Sequence, residues 1–233
     1  TYVIYSVQKA YKDLFHNADK TISNFKFAAD KMRIEMEKYL PKKIKIITTK
    51  DRFILQVKKD SGMLSLREVL NYYKTMDPKH VAWVQSSLHN ITCYLEYAGI
   101  AHNNISVDNY FIDTEKHIGA LLGGWWYTSK IGSPLKQVPG WVLNFLPWDV
   151  KTNKTASQKT DLELTRAAGR ELLGDINGLK MVPVPKPMQA WLKSVSHGNA
   201  VEDYKAWGEV LTASFGKKRF LKMELDCKIL RSI

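Results

Sequence analysis

At 233 residues, with 45% hydrophobic and 25% charged residues, the chain has the make-up of a folded globular protein, large enough for one sizeable domain or two small lobes. No apolar run approaches the roughly 18–20 residues that cross a bilayer, no signal-peptide pattern opens the chain, and Cys93 and Cys227 are too few for a disulfide framework; no membrane partner is expected, and the expected setting is reducing and cytoplasmic. The formal charge of +12 fits an acidic protein partner, a nucleic acid, or a lysine-rich solvated surface, and arginine, the side chain preferred for bidentate phosphate and guanine contacts, supplies little of it.

The chain opens on Thr1 rather than Met, which leaves undecided whether a segment precedes it. Residues 1–7, TYVIYSV, are β-branched and aromatic and read as a strand. Residues 23–40 read as a helix: Ser23 or Asn24 caps it, Phe25, Ala28, Met32, Met36 and Leu40 recur at helical spacing, and Pro41 stops it. A hairpin follows over 43–58, where Ile44 and Ile46 alternate with Lys43 and Lys45 and Phe53, Leu55 and Val57 alternate on the return. Residues 58–63 form a polar link, and LSLREVLNYY a small helix. The clearest helix spans 77–99, with Asp77 at its cap, Pro78 in its first turn, a stripe of Val81, Val84, Leu88, Ile91 and Leu95, and Gly99 at its end. NYFID and HIGAL pair as a short hairpin across TEK. Residues 123–160 read as mostly irregular, and helical patterns return at 161–175, 187–196 and 200–216. Basic residues are densest at 41–52 and 216–220.

The segment GIAHNNISVDNYFID, 99–113, concentrates polar chemistry between a helix and a strand. Together with the element order it resembles the protein-kinase fold from that family's αC helix onward, with the helix at 23–40 in that role, the hinge at 58–62 and the long helix leading into the catalytic loop. The family's loop reads H-R-D-x-x-x-x-N. Here HNNISVDN places His102, Asn103, Asn104 and Asn109 at the matching positions, so the resemblance implies that the proton-accepting aspartate is replaced by Asn104, a neutral amide that cannot act as general base. The family's D-F-G falls on Leu122, Gly123 and Gly124, and leucine offers magnesium no oxygen. LPWDV (146–150) stands where A-P-E ends the activation segment. Asp161 matches the aspartate that in the family holds the catalytic-loop backbone. The strand YVIYSV puts Tyr5 where the family carries its lysine, Glu35 or Glu37 takes the αC glutamate's place, and no glycine-rich loop precedes them.

The resemblance implies an α+β, bilobal kinase-like fold with a reduced N-terminal strand and helix lobe over 1–60 and a larger, mainly helical lobe over 61–233. It also implies a pseudokinase: His102, Asn109 and Asp161 remain as scaffolding, while the residues that would handle phosphate, metal and proton are gone. No catalytic residue, cofactor or metal site is expected, and a binding or regulatory role toward a protein partner, an acidic one by the chain's charge, leads. A basic nucleic-acid-binding module on the same scaffold is the alternative, and a divergent phosphotransferase using Asp108 or Asp113 ranks third. Plainer roles compete at each position. Asn103 and Asn104 read as turn residues that tolerate left-handed backbone, Asp108–Asn109 as a hydrogen-bonding turn, His102 as a core histidine, and the tryptophans of GGWWYTSKIG as core packing rather than a partner surface.

Overall fold

The computed structural model describes residues 1–216; Cys227 and all of the basic run 216–220 except Gly216 lie outside the described residues. Strand β1 (Tyr2–Gln8) alternates as its sequence dictates, with Val3, Tyr5 and Val7 turned inward and Tyr2, Ile4, Ser6 and Gln8 exposed. It pairs antiparallel with β3 (Arg52–Lys58), Tyr5 opposite Leu55, and β3 pairs in turn with β2 (Lys43–Thr48), giving the order β1-β3-β2. Two helices lie between β1 and β2 in the chain: α1 (Lys12–Ser23) and α2 (Asp30–Met36).

This corrects the expected helix at 23–40. Ser23 ends α1 instead of capping a new helix, residues 24–29 are non-helical, and α2 is short and continues into a tight turn over Glu37–Tyr39. Phe25, the first residue of that apolar period, and Phe27, which is not part of it, both pack from non-helical backbone, Phe25 edge-on to Trp125 (5.1 Å) and Phe27 stacked on Tyr94 (5.6 Å). Helix α1 buries Phe15, Ala18 and Ile22, a spacing that puts all three on one face.

After β3 the chain turns through Asp60, whose carbonyl accepts from Met63 N (3.1 Å), into β4 (Leu64–Ser65) and α3 (Leu66–Tyr73), where Ser65 and Glu68 form a capping box. Helix α4 (Pro78–Ala98) starts and stops as its sequence reads: Asp77 accepts from Lys79 N at 2.7 Å, and Gly99 adopts φ +72°. Its stripe from Val81 to Leu95 is buried, and so are residues on its other sides: Gln85 and His89 where α6 (Gln158–Leu172) and α8 (Ala200–Phe215) pack against it, and Trp83 where it stacks on His117 at 4.5 Å. Helix α6 starts before the expected 161 because Ser157 caps it. Strands β6 (Tyr110–Asp113) and β7 (Ile118–Leu121) form the expected hairpin, and β4 adds to it in the order β4-β6-β7. A two-residue pair, β5 (Ile100–Ala101) with β8 (Ser129–Lys130), ties the start of the polar loop to the segment after Tyr127.

The stretch 123–160 is more ordered than its composition implies: short 3₁₀ turns at Trp125–Tyr127 and Gly140–Asn144 precede α5 (Trp148–Asn153). Helix α7 (Lys186–Lys193) lies against α8. The fold is α+β with small antiparallel sheets, and its apolar core runs without a break from Phe15 through Val57 and Leu88 to Leu211.

Candidate functional site

Helix α4 ends at Gly99, and the β5–β8 pair fixes the backbone that follows, so His102, Asn103 and Asn104 are delivered to a buried position between α6 and the turn over 122–127. Asp161, in the first turn of α6, accepts from the backbone N–H of His102 (2.7 Å) and of Asn103 (2.8 Å), one to each carboxylate oxygen. Burial pushes its carboxyl up to about 7, although both amides pull the other way. His102 is fully buried; its Nε2–H donates to the Gly123 carbonyl (3.0 Å), and its ring stands edge-on to Trp125 at 4.7 Å. Burial drives its pKa down to about 3, so the ring is neutral and acts as a strut between two loops.

Asn103 takes left-handed backbone, φ +61°, as a turn residue of this type tolerates. Its carboxamide nitrogen donates to the Tyr127 carbonyl (2.9 Å) and the Ala101 carbonyl (3.2 Å), stitching the loop to β8's approach. Asn109 donates to the Asn104 carbonyl (2.9 Å) and to Ser106 Oγ (3.0 Å), while its own carbonyl accepts from Leu122 N and Gly123 N (3.1 Å each). Gly124 has φ +81°, and a Cβ there would lie 2.8 Å from the His102 ring and 3.0 Å from the Asn104 carboxamide nitrogen. The positions His102, Asn104, Asn109, Gly123 and Gly124 therefore meet in one place, with Leu122 buried beside them.

Two elements close this site that the sequence reading assigned elsewhere or left weak. Asn17 of α1 donates to the Trp126 carbonyl (3.0 Å) and the Thr128 carbonyl (2.8 Å), and Thr21 shares a hydrogen bond with Thr128 (3.0 Å between hydroxyls), so α1 is the helix that clamps the turn. Glu35 and Glu37 are exposed on or just after α2, Glu37 facing Arg33 at 3.5 Å, and neither reaches the loop. The signal for α1 was present in Phe15, Ala18 and Ile22; Asn17 carried none. The other element is β1. Tyr5 reaches over the loop, its ring edge-on to Trp126 at 6.0 Å, and with Ala18, Ile22, Leu55 and Leu122 it seals a crevice that has no room for a water molecule.

The remaining acidic candidates are already engaged. Asp108 is the single carboxylate of the loop and the 122–127 turn, and it pairs with Arg67 (2.8 and 3.1 Å), which also holds Glu171 (2.6 Å). Asp113 accepts from Glu115 N (3.1 Å) and Lys116 N (2.9 Å), closing the β6–β7 turn. A divalent cation at the loop would thus find carboxamide and carbonyl oxygens but no free carboxylate among residues 102–109 and 122–127 to offset its charge. Among the described residues, no three His, Cys, Asp or Glu side chains converge. Trp125 is core, its Nε1–H donating to the Leu121 carbonyl (3.0 Å), and Trp126 is half-buried. No helix of the described residues is long and apolar enough to cross a membrane. No protein-family model matches the chain, and no curated protein is similar to it.

Proposed function

We propose that the chain is a degenerate, catalytically silent relative of the protein kinases that works by binding a protein partner, and that its excess of lysine selects an acidic one. The observation that carries this reading is the division of labour at the loop. Asp161 under the His102–Asn103 backbone, and His102 bridging to Gly123, hold the loop in place, while Asn104 and Leu122 stand where proton and metal chemistry would need carboxylates. The order β1-β3-β2 with α1 between β1 and β2, and the long α4 feeding the loop, accord with the kinase arrangement. Tyr5 accords with the loss of function, since it fills space instead of offering a cation to phosphate.

Thermal unfolding with and without ATP, each with and without Mg²⁺, tests the reading. A ligand at about 100 times its Kd stabilises by about 2.7 kcal/mol, a shift of several degrees for a chain this size. No shift is expected in any condition. A magnesium-dependent shift, followed by phosphate transfer lost on changing Asn104, would overturn it.

A second reading, nucleic-acid binding, rests on one specific feature. Two adjoining hollows beside α1 are lined by Lys20, Lys26, Lys130 and Lys136, none of them in an ion pair. It requires affinity that falls linearly with log salt. Absence of binding to a single-stranded oligonucleotide at about 50 mM salt dismisses it.

A further inference from the structure

Among the described residues, the three most exposed large apolar side chains are Leu179 (83%), Trp148 (81%) and Val195 (81%), and they come from three separate segments: the start of α5, the loop after α6 and the loop after α7. All three line one groove of about 920 Å³. Exposed large apolar residues scattered singly need no explanation, whereas three gathered on one concavity form the kind of patch that folded proteins use for contact. Trp148 begins α5, behind Pro147, so its position is set by the helix start.

The charges around the groove specify the occupant. Between residues 144 and 198 every carboxylate has a partner. Asp149 holds Lys159 (2.6 Å), Asp161 holds the loop amides, Glu163 accepts from Ser196 N (2.7 Å), Glu171 holds Arg67, and Asp175 accepts from Asn177 N, Leu179 N and Lys180 N. The cations of the same stretch are not all spent. Lys151, Lys154, Lys180, Lys186 and Lys193 are exposed on the segments that wall the groove, and none is in an ion pair. The groove is apolar at its centre; of these lysines Lys193 lines it and the others stand on the adjoining segments, and residues 144–198 together hold eight Lys and Arg against five Asp and Glu, an excess of positive charge around it.

We infer that this groove is the docking surface for the acidic partner proposed above, and that it takes a segment of that partner in which acidic residues flank an apolar or aromatic anchor. The anchor lies against Trp148, Leu179 and Val195, and the carboxylates meet the lysines. Truncating large anchors at the centre of an interface costs most of its affinity, whereas rim charges act mainly on the association rate and its salt dependence. A second copy of the chain is the wrong occupant, because it would bring the same unpaired lysines to the same face. The inference rests on the protein-binding reading but not on the state of the loop.

The test selects displayed random peptides of about 12 residues on the whole chain and counter-selects them on the Trp148→Ala/Val195→Asp variant. Survivors are expected to combine an apolar or aromatic residue with several Asp or Glu. A synthetic survivor should bind the whole chain about tenfold more weakly after Trp148→Ala, and should lose both association rate and salt dependence after Lys180→Glu/Lys193→Glu. Trp148 lies outside the core, so its truncation leaves folding intact; the lysine variant gives an independent reading. No survivors, survivors without acidic residues, or affinity unchanged in both variants would sink the inference. So would sedimentation showing a dimer that Trp148→Ala dissociates. Magnesium-dependent phosphate transfer would remove the inactive-scaffold reading and leave the peptide result standing; a failed selection removes the groove and restores no catalysis.

Discussion

Tyr5 and Gly123 are locked together: a Cβ built on Gly123 would come within 2.6 Å of the Tyr5 hydroxyl oxygen and also strike the Asn109 carboxamide oxygen. Glycine at 123 is therefore a requirement of space, since its φ is not positive. The Tyr5 hydroxyl is buried without a hydrogen-bond partner, and burial raises its pKa, so the side chain is retained for its volume. Gly123→Ala is expected to destabilise by about 1–3 kcal/mol, the usual cost of overpacking, measured by urea unfolding. A neutral result would mean that Tyr5 swings away freely and that the crevice is not closed in solution.

Asp161 supports two buried amides, so its substitutions should separate by acceptor count. Asp161→Ala strands both the His102 and Asn103 N–H groups, and at about 1–3 kcal/mol for each unsatisfied buried group the loss should be about 2–6 kcal/mol. Asp161→Asn keeps one acceptor oxygen and should lose roughly half as much. Equal losses in urea unfolding would show that the carboxylate's charge, and not its two bonds, holds the loop.

Among the described residues, three fully buried groups dominate the acid response, and half-buried His80, whose pKa burial also lowers, acts in the same direction as the two histidines among them. His102 and His89 are both held near 3 in the folded chain by burial, against an ordinary value of 6.5, and neither ring nitrogen of His89 has a hydrogen-bond partner. Below pH 6.5 the unfolded chain takes up protons that these rings refuse, so their contribution is full above that pH and drains away toward pH 3. Asp161 works in the opposite sense: with a folded value of about 7 and an ordinary one of 3.8, it favours the folded chain progressively as pH falls through that window. Two rings outweigh one carboxyl, each worth up to about 1.4 kcal/mol per pH unit. Stability should fall from pH 6.5 toward pH 4.5, and His89→Phe should flatten the fall in thermal melts across that range. A profile unchanged by His89→Phe would place the acid sensitivity elsewhere.

How much of this was legible follows from the range over which each signal acts. Helix α4 was readable because its signals are local: Asp77 and Pro78 open it, and Gly99 closes it. His102 and Asn109 stood out as members of one polar segment, whereas the bond from Asp161 to the backbone of that segment, 59 positions away, was an expectation of the kinase resemblance and not of spacing. Helix α1 carried a local signal in the spacing of Phe15, Ala18 and Ile22, but the non-helical run 24–29 was not legible, because Phe25 and Phe27 answer to Trp125 and Tyr94, far along the chain, and tertiary contact overrode local period. The resemblance alone put Tyr5 at the family's lysine position; that the side chain would seal the site depends on Gly123 and Trp126, more than a hundred positions later. The groove at Trp148 left no sequence signature, since exposure is a property of the folded surface.

The least legible feature of the described core is the ion pair between Arg166 and Asp203, 37 positions apart and both fully buried. The guanidinium makes two parallel bonds to the carboxylate, 2.6 and 2.8 Å, and lies over the Trp191 ring at 4.1 Å. Burial works against the Asp203 charge, but Arg166, together with bonds from the His197 backbone and ring, holds its pKa at about 2. The two single truncations should therefore be unequal. After Arg166→Met the carboxylate keeps its His197 donors and has the option of taking a proton; after Asp203→Ala the guanidinium keeps only the Leu162 carbonyl at 3.5 Å and the Trp191 ring, and it does not deprotonate in proteins. Asp203→Ala should cost about 3–5 kcal/mol, with Arg166→Met costing less, and Arg166→Met/Asp203→Leu should recover much of the loss because it leaves no buried charge unpaired. Urea is the denaturant of choice, because it is uncharged and leaves the ionic strength fixed across the series. Additive losses in the double-mutant cycle would mean that the pair is not coupled and that Asp203 serves His197 alone.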